Sequence, residues 1–213
     1  MADTKQQILD AAERLFAERG IAATSLRAVM AAAHVNPAAV HYHFGGREAL
    51  IEAVVLQRLR PLNAERLARL DEVEARARPD APPVEAVLDA FLAPALRLAC
   101  APGGEGERLM RLLGRFYHDA ADVARTLFER EFRPVLERFS AALARSLPHL
   151  AAEALAWRMQ FVVGAMAHTM TCREPITWLG GRPPETPAAV ERLARDLVRF
   201  VAAGLSAETE VRA

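Results

Sequence analysis

The residues with the most evident chemical potential lie in one short segment, Val35–Phe44. If this segment forms a helix that turns about 100° per residue, Val40 and Phe44 point to one side. The opposite side then presents Ala38, Ala39, His41 and Tyr42, with His43 on the flank. Small residues let a helix enter the major groove of DNA closely, and an alanine methyl can sit against a thymine methyl. Because histidine and tyrosine donate hydrogen bonds to phosphates or base edges, this face predicts DNA recognition.

Two helices are predicted before this segment, and they would position it. Thr4 begins the first helix with Gln7 at capping-box spacing, and Gly20 ends it. The buried stripe of that helix comprises Ile8, Ala12, Leu15 and Phe16. Thr24 or Ser25 caps a short second helix. The inward-facing residues of the second helix are Leu26, Val29 and Met30. This layout predicts a helix-turn-helix.

The third helix has its own start and stop signals. After a turn at residues 33–35, Asn36 is a good N-cap and Pro37 a good first residue, because its missing N–H would be unbonded there. Gly45 and Gly46 end this helix. A fourth helix begins near Arg47, which is placed to reach the DNA backbone.

Residues 4–51 resemble the DNA-binding domain of the TetR family. The segments that carry the resemblance are Gly20, Thr24–Val29, Val35–Phe44 and Arg47–Leu50. The resemblance implies phosphate contacts by Thr24, Ser25, Asn36, Tyr42 and Arg47. It implies base contacts by Ala38, Ala39 and His41. Residues that differ from the usual family pattern are His34, Asn36, Ala39 and His41. These differences leave the operator sequence undetermined.

A further resemblance concerns one branch of that family. The run Asn36–Phe44, together with Arg60–Asn63 and Met110–Gly114, is similar to the PsrA-type branch. Members of this branch respond to long-chain fatty acids or their derivatives. The resemblance implies a homodimeric transcriptional repressor that leaves operator DNA when a small hydrophobic effector binds. The sequence does not specify the effector, the target genes or whether transcription is repressed or activated.

The rest of the chain predicts helices and no strand, so we expect an all-α fold of about nine helices. The fourth helix is predicted to reach about Arg76, with a kink at Pro61. The later helices are predicted over 84–100 with an interruption at Pro94, 106–118, 121–146 with Pro134 inside, 151–172 and 188–205. We expect residues 1–50 to form the helix-turn-helix domain and residues 51–213 an effector-binding and dimerisation domain.

Apolar side chains of the middle helices are the candidates for an effector pocket. These are Phe91, Met110, Leu113, Phe116, Phe132, Phe139, Met159 and Met166. Methionines adapt to flexible apolar ligands, although each of these residues taken singly fits ordinary core packing better. Arg111 and Arg115 lie one turn apart and either hold a carboxylate or form a solvated face.

The predicted helix 151–172 is apolar nearly all round. Such a helix is buried on several sides, either in a monomer core or against a second copy. Small residues at Gly164, Ala165 and Ala167 favour close helix packing. Two DNA half-sites also require two recognition helices, one from each copy. The family resemblance implies a homodimer formed through helices near 151–172 and 188–205.

Composition weighs against some classes of protein. The chain has 27 basic and 27 acidic residues, and this zero net charge counts mildly against DNA binding. No signal-peptide pattern or membrane-spanning stretch is present, so the cytoplasm is the expected location. Two cysteines do not indicate a disulfide framework.

Metal and enzyme chemistry are not indicated. His41 and His43 would point about 200° apart on a helix, so they cannot easily share one ion. We find no nucleophile with its base, no acid pair and no phosphate-binding loop, and we expect no cofactor. A helical ligand-binding or scaffold protein without sequence-specific DNA binding is the main alternative function, and a helical enzyme is a weaker one.

Overall fold

The computed structural model describes residues 4–36, 38–101, 103–171 and 174–208, and only the backbone for residues 38–40, 117–118 and 174–175. These residues form eleven helices and no strand, which confirms the all-α class. The helices are α1 (Thr4–Arg19), α2 (Leu26–Ala33), α3 (Ala38–Phe44), α4 (Arg47–Ala77), α5 (Val84–Ala99), α6 (Glu105–Asp119), α7 (Ala121–Glu131), α8 (Arg133–Ser146), α9 (Ala152–Thr171), α10 (Glu174–Trp178) and α11 (Pro187–Ser206).

Two of the described helices were not expected from the sequence. The single helix predicted over 121–146 is divided into α7 and α8 at Phe132. Pro134 is the second residue of α8, where a residue without an N–H is tolerated, whereas inside one long helix it would remove a main-chain hydrogen bond. The second addition is α10, a short helix between the helices predicted over 151–172 and 188–205.

Prolines elsewhere do not end the helices that contain them. Pro61 lies inside α4 and Pro94 inside α5, and both helices continue past them. The interruption predicted at Pro94 is therefore wrong. Pro94 and its neighbours in α5 are buried, so packing around the helix offsets the lost hydrogen bond.

The first of two compact units comprises Met1–Pro61 and Gly103–Arg133. It contains the predicted head, residues 1–50, together with α6 and α7. The stripe predicted for α1 is buried. The Glu13 carboxylate on the same helix is also buried and accepts two hydrogen bonds from Arg58, at 3.1 Å from Nε and 2.9 Å from Nη2. This bidentate ion pair joins α1 to α4 within the unit.

The second unit comprises Leu62–Pro102 and Pro134–Ala213. Its central helix is α5, which is buried along most of its length and packs against α9 and α11. Ion pairs at the edge of this core connect the helices around it. Arg97 binds Glu65 of α4 and Glu191 of α11 at 2.9 and 3.1 Å. Among the described residues, no helix has both the length and the apolar character needed to cross a membrane.

The Glu74 carboxylate joins α4 to α8 in the second unit. It accepts hydrogen bonds from Arg138 at 2.6 and 3.0 Å and from Arg145 at 2.5 Å. The hydrogen bonds from Arg138 are the main reason that the pKa of Glu74 is lowered to about 2, with those from Arg145 adding to the effect. A carboxyl group whose pKa is lowered by folding stabilises the protein above its unfolded pKa of about 4.3.

We predict that replacing Glu74 with Gln lowers the free energy of unfolding at neutral pH and that this difference shrinks as pH falls from about 5 to about 2. As pH falls through the unfolded pKa and then through the folded pKa of about 2, the wild-type carboxyl group is protonated and loses its attraction to Arg138 and Arg145. Urea unfolding at several pH values and one protein concentration measures the difference. Glu72→Gln is the control, because Glu72 is exposed and pairs with Arg76 on its own helix. The same pH dependence in both variants would contradict the prediction.

Candidate nucleic-acid interface

A tight turn joins α2 to α3. Ser25 caps the start of α2, where its Oγ accepts the N–H of Ala28 at 3.1 Å. At the end of α2, His34 adopts a left-handed φ of 55°, and the N–H of Val35 donates to the Met30 carbonyl at 3.1 Å. His34 thus makes the turn that glycine usually makes, at a cost of roughly 1–2 kcal/mol. The result is the expected helix-turn-helix.

The third helix presents polar aromatic side chains to solvent. His41 is exposed, and Tyr42 is 86% exposed. His43 and Phe44 are half-buried, and the Tyr42 and His43 rings meet edge to face with centroids 5.0 Å apart. An exposed tyrosine beside an exposed histidine offers hydrogen-bond donors to a partner. The side chains of Ala38 and Ala39, for which we expected base contacts, lie outside the described residues.

The Thr24 hydroxyl is not placed for the phosphate contact that we expected of it. The residue is 1% exposed, and its Oγ1 donates to the Gly20 carbonyl at 2.7 Å. It closes the loop between α1 and α2 from the inside. Ser25 and Asn36, in contrast, are exposed.

The Arg47 guanidinium is also engaged inside this domain. It donates to the main-chain carbonyls of Thr24 and Ile21. These bonds attach the first residue of α4 to the loop between α1 and α2. Arg47 therefore has a structural role inside this domain, because two of its N–H donors bind the protein backbone.

The same loop is held by α6. The Asp119 carboxylate accepts the N–H groups of Ile21 at 2.9 Å and Ala22 at 3.3 Å. Arg115, one turn earlier, donates to the Glu18 carbonyl at 3.2 Å. Gly20, which this loop follows, has a φ of 93°, a backbone conformation that favours glycine.

Sequence reasoning missed Asp119 because its partners are about a hundred residues earlier in the chain. One local signal was available. A carboxylate at the last residue of a helix is unfavourable, since the helix dipole places negative charge there. Hydrogen-bond donors from elsewhere in the chain can stabilise a carboxylate at this position, as the two loop N–H groups do here.

The structure divides the eight candidate effector residues between the two units. Met110, Leu113, Phe116 and Phe132 belong to the first unit; Phe91, Phe139, Met159 and Met166 belong to the second. In the first unit Phe116 and Phe132 are buried, whereas Met110 and Leu113 are half-buried. In the second unit all four are buried, and the rings of Phe91 and Phe139 pack with centroids 5.0 Å apart.

Arg66 is a functional candidate that the sequence did not reveal. It lies on α4 in the second unit and is only 1% exposed. Its guanidinium stacks on the Phe91 ring at 4.3 Å from the centroid and donates from Nη2 to the Met166 sulfur at 3.3 Å. Two of the predicted effector residues therefore contact a buried cation. In the sequence Arg66 looks like the other arginines of α4.

The two arginines considered as carboxylate ligands have other partners. Arg111 is exposed and pairs with Glu107 on its own helix, and Arg115 binds the Glu18 carbonyl. An open depression of about 380 Å³ lies on α7 and is lined by Ala121, Ala124, Arg125, Phe128 and Glu129. None of these lining residues was predicted.

In the described part of the chain, no three or more histidine, cysteine or acidic side chains are grouped to hold a metal ion.

Large apolar side chains are exposed on α9 and α11. Trp157, Phe161 and Phe200 are 60%, 64% and 73% exposed. The two helices pack against each other, and Arg158 near the start of α9 donates to the Leu205 and Ala207 carbonyls at the end of α11. Exposed aromatics concentrated on two adjacent helices are typical of a surface that another molecule covers.

Two family models match the sequence. The model described as bacterial regulatory proteins, tetR family, matches residues 8–54. The model described as tetracyclin repressor-like, C-terminal domain, matches residues 89–204. The first match covers the helix-turn-helix, and the second covers most of the helices that follow α4.

The curated relatives match over a short part of the chain. The HTH-type transcriptional regulator UidR of Escherichia coli strain K12 is 37% identical over 54 residues, which is 25% of this chain and 28% of that protein. The match thus spans little more than a quarter of the relative's length.

Solved structures extend the likeness to the whole fold. The fatty acid degradation regulator FadR from Bacillus halodurans has a TM-score of 0.67 at 14% identity, covering 98% of this chain and 99% of that chain. A TetR-family transcriptional regulator from Bordetella parapertussis 12822 has a TM-score of 0.67 at 16% identity, covering 94% and 95%. At these identities the likeness concerns the fold.

We predict that Asp119→Ala loosens the loop between α1 and α2. The Ile21 and Ala22 N–H groups lose a charged acceptor, and hydrogen bonds to charged groups contribute about 1.5–3 kcal/mol when they are well formed. Amide hydrogen exchange at these two residues should accelerate at least about tenfold. Asp122→Ala is the control, because the Asp122 side chain is fully exposed. Equal exchange rates at these two amides in the wild type and in Asp119→Ala would contradict this role of Asp119.

Proposed function

This chain belongs to the TetR family of bacterial regulatory proteins, and from that premise we propose that it is a homodimeric transcriptional repressor. Residues 1–50 bind operator DNA, and residues 51–213 bind a small hydrophobic effector and form the dimer. The observation that carries the proposal is the exposed face of α3, where His41 and Tyr42 point to solvent in the second helix of a helix-turn-helix.

The proposed DNA contacts differ from those expected of the sequence at two positions. Tyr42, Asn36 and Ser25 remain as phosphate contacts, and His41 reads bases with Ala38 and Ala39, as the family resemblance implies. The Ser25 oxygen already accepts the Ala28 N–H, so its own O–H can donate to a phosphate. Thr24 and Arg47 support the loop that positions the helices and make no phosphate contact through their side chains.

The dimer is proposed to form through the exposed aromatics of α9 and α11. Each tryptophan or phenylalanine buries roughly 150–250 Å² when it is covered. Trp157, Phe161 and Phe200 would therefore make a substantial apolar contact with a second copy. A dimer also supplies the two recognition helices that two half-sites require.

The effector is proposed to act through α4, which is one continuous helix from the head into the second unit. An effector that binds one dimer state better shifts the equilibrium toward that state. A coupling of roughly 1–3 kcal/mol weakens operator binding about 5- to 150-fold. A long-chain fatty acid or acyl derivative is the proposed effector, supported by the branch resemblance and by the apolar side chains around Arg66.

We predict that His41→Ala and Tyr42→Ala each weaken binding to duplexes selected by the wild-type protein from a random pool. The loss should be about 5- to 150-fold for His41→Ala, because a specific base contact contributes about 1–3 kcal/mol. For Tyr42→Ala it should be about 10- to 150-fold, because a hydrogen bond to a charged phosphate contributes about 1.5–3 kcal/mol. Fluorescence anisotropy at one salt concentration measures it. Trp178→Ala is the matched control, an exposed aromatic of the second unit, and it should bind as the wild type does.

Two results would count against DNA recognition by α3. Unchanged affinity in both variants would place the contacts elsewhere. If the wild-type protein enriches no duplex from the pool, the chain is better explained as a helical ligand-binding or scaffold protein without sequence-specific DNA binding.

We predict that Phe161→Glu weakens the dimer at least about a hundredfold, because a carboxylate would be buried without a partner in the interface. Sedimentation velocity over a range of concentrations measures the dimer dissociation constant. Trp178→Glu introduces the same charge at an exposed aromatic of α10 and serves as control. A dimer that tolerates Phe161→Glu as well as Trp178→Glu would exclude this face as the interface.

A further inference from the structure

Lys5, the only lysine of the chain, lies beside the end of α3, the proposed recognition helix. It is the second residue of α1, which packs against α3. Its side chain is exposed, and its Nζ is 5.9 Å from the centroid of the ring of Phe44, the last residue of α3. A lysine within about 6 Å of an aromatic ring is attracted to the ring face. A positive charge from α1 is therefore held at the C-terminal end of α3.

A row of aromatic rings joins this charge to the exposed face of α3. The rings of Phe44 and His43 have centroids 6.3 Å apart, and those of His43 and Tyr42 have centroids 5.0 Å apart. Tyr42 is 86% exposed and is one of the proposed phosphate contacts. Lys5 thus adjoins the surface that is proposed to meet DNA.

The electrostatics of a helix end make a cation favourable at this position. The C-terminal end of a helix carries a partial negative charge, which repels a phosphate. Arg47, the first residue of α4, uses two of its N–H donors on the carbonyls of Thr24 and Ile21. The charge of Lys5 offsets the dipole of α3. Its ammonium has three N–H donors, so it can bind a phosphate oxygen in addition to its contacts inside the head.

The length of α3 brings its end close to the DNA backbone. Its seven residues make a helix about 10 Å long, and the major groove of B-DNA is about 12 Å wide. In a helix-turn-helix complex, the N-terminal residues of the recognition helix contact the base edges. The C-terminal end of so short a helix then lies near the edge of the groove, where the phosphates are.

We propose that Lys5 binds a phosphate of the DNA backbone, once in each copy of the dimer. This inference rests on the proposed DNA-binding function, and it adds a residue of α1 to the contacts made by the helix-turn-helix. A contact to the backbone carries no sequence information, so Lys5 strengthens binding to different duplexes by similar factors.

Fluorescence anisotropy over a range of salt concentrations tests this contact. The DNA is a duplex that the wild-type protein selects from a random pool. The logarithm of the association constant falls with the logarithm of the salt concentration by about 0.9 for each phosphate contact, so Lys5→Gln should make the slope for a dimer shallower by about 2. Its loss of affinity relative to the wild type should therefore be about tenfold larger at about 50 mM salt than at about 200 mM salt.

Two variants separate this role from a structural one. Lys5→Arg keeps the charge and should keep the wild-type slope. Arg14→Gln removes a charge from an exposed position on the opposite side of α1, nine residues later, and should also keep that slope. If Lys5 only stabilises the end of α3, Lys5→Gln lowers the melting temperature and leaves the slope unchanged. Circular dichroism and thermal unfolding establish that each variant is folded.

Chemical modification of the wild-type protein gives a second measurement that needs no variant. Because the chain has one lysine, an amine-reactive ester acylates a single side chain, and mass spectrometry of peptides distinguishes it from the N-terminal amine. The selected duplex should slow acylation of Lys5 about fivefold or more when about nine tenths of the protein is bound. Raising the salt concentration releases the DNA and should restore the rate.

Three outcomes would overturn this contact alone. These are an unchanged slope in a folded Lys5→Gln, an equal change of slope in Arg14→Gln, and an unchanged acylation rate when the duplex is bound. The acylation rate decides the matter if Lys5→Gln does not fold. A wild-type protein that selects no duplex would instead reject the proposed DNA-binding function, and this contact with it.

Discussion

The structure depends on the continuity of α4 from Arg47 to Ala77. A proline inside a helix removes one main-chain hydrogen bond, so Pro61 is the weakest point of this helix. Side chains secure it on both sides. Arg58 binds the buried Glu13 before the proline, and Arg66 is buried against Phe91 after it. One helix thus contributes residues to both units.

The charged residues of the head are used mainly to hold its backbone together. Arg47 and Asp119 bind opposite kinds of main-chain group in one loop, the first its carbonyls and the second its N–H groups. Arg58 neutralises Glu13. The zero net charge is then compatible with DNA binding, since positioning is done by internal ion pairs and hydrogen bonds. The proposed recognition falls to the polar aromatics of α3, whose side chains are exposed.

The sequence predicted features that are local and failed where a partner lies far away. The cap at Ser25, the end of α1 at Gly20 and the exposed face of α3 each follow from a few adjacent residues. Thr24 has the residue type of a phosphate contact, yet it is buried by its own loop. The residues around Pro94 do not indicate that the helix continues through it, and those around Pro134 do not indicate that a new helix begins there. Arg66 is likewise ordinary in sequence, because its burial is set by α5 and α9, which pack on it from other parts of the chain.

Burial of Arg66 sets a requirement on the packing of the second unit. A charge removed from water is unfavourable unless hydrogen bonds compensate for it. Among its described contacts, the guanidinium donates to the Phe91 carbonyl at 2.9 Å and to the Met166 sulfur at 3.3 Å, and it lies over the Phe91 ring at 4.3 Å from the centroid. Burial lowers its pKa to about 10, so the charge persists at neutral pH. Because α5 and α9 supply these contacts, both helices must pack correctly on α4 for the second unit to hold this charge in its core.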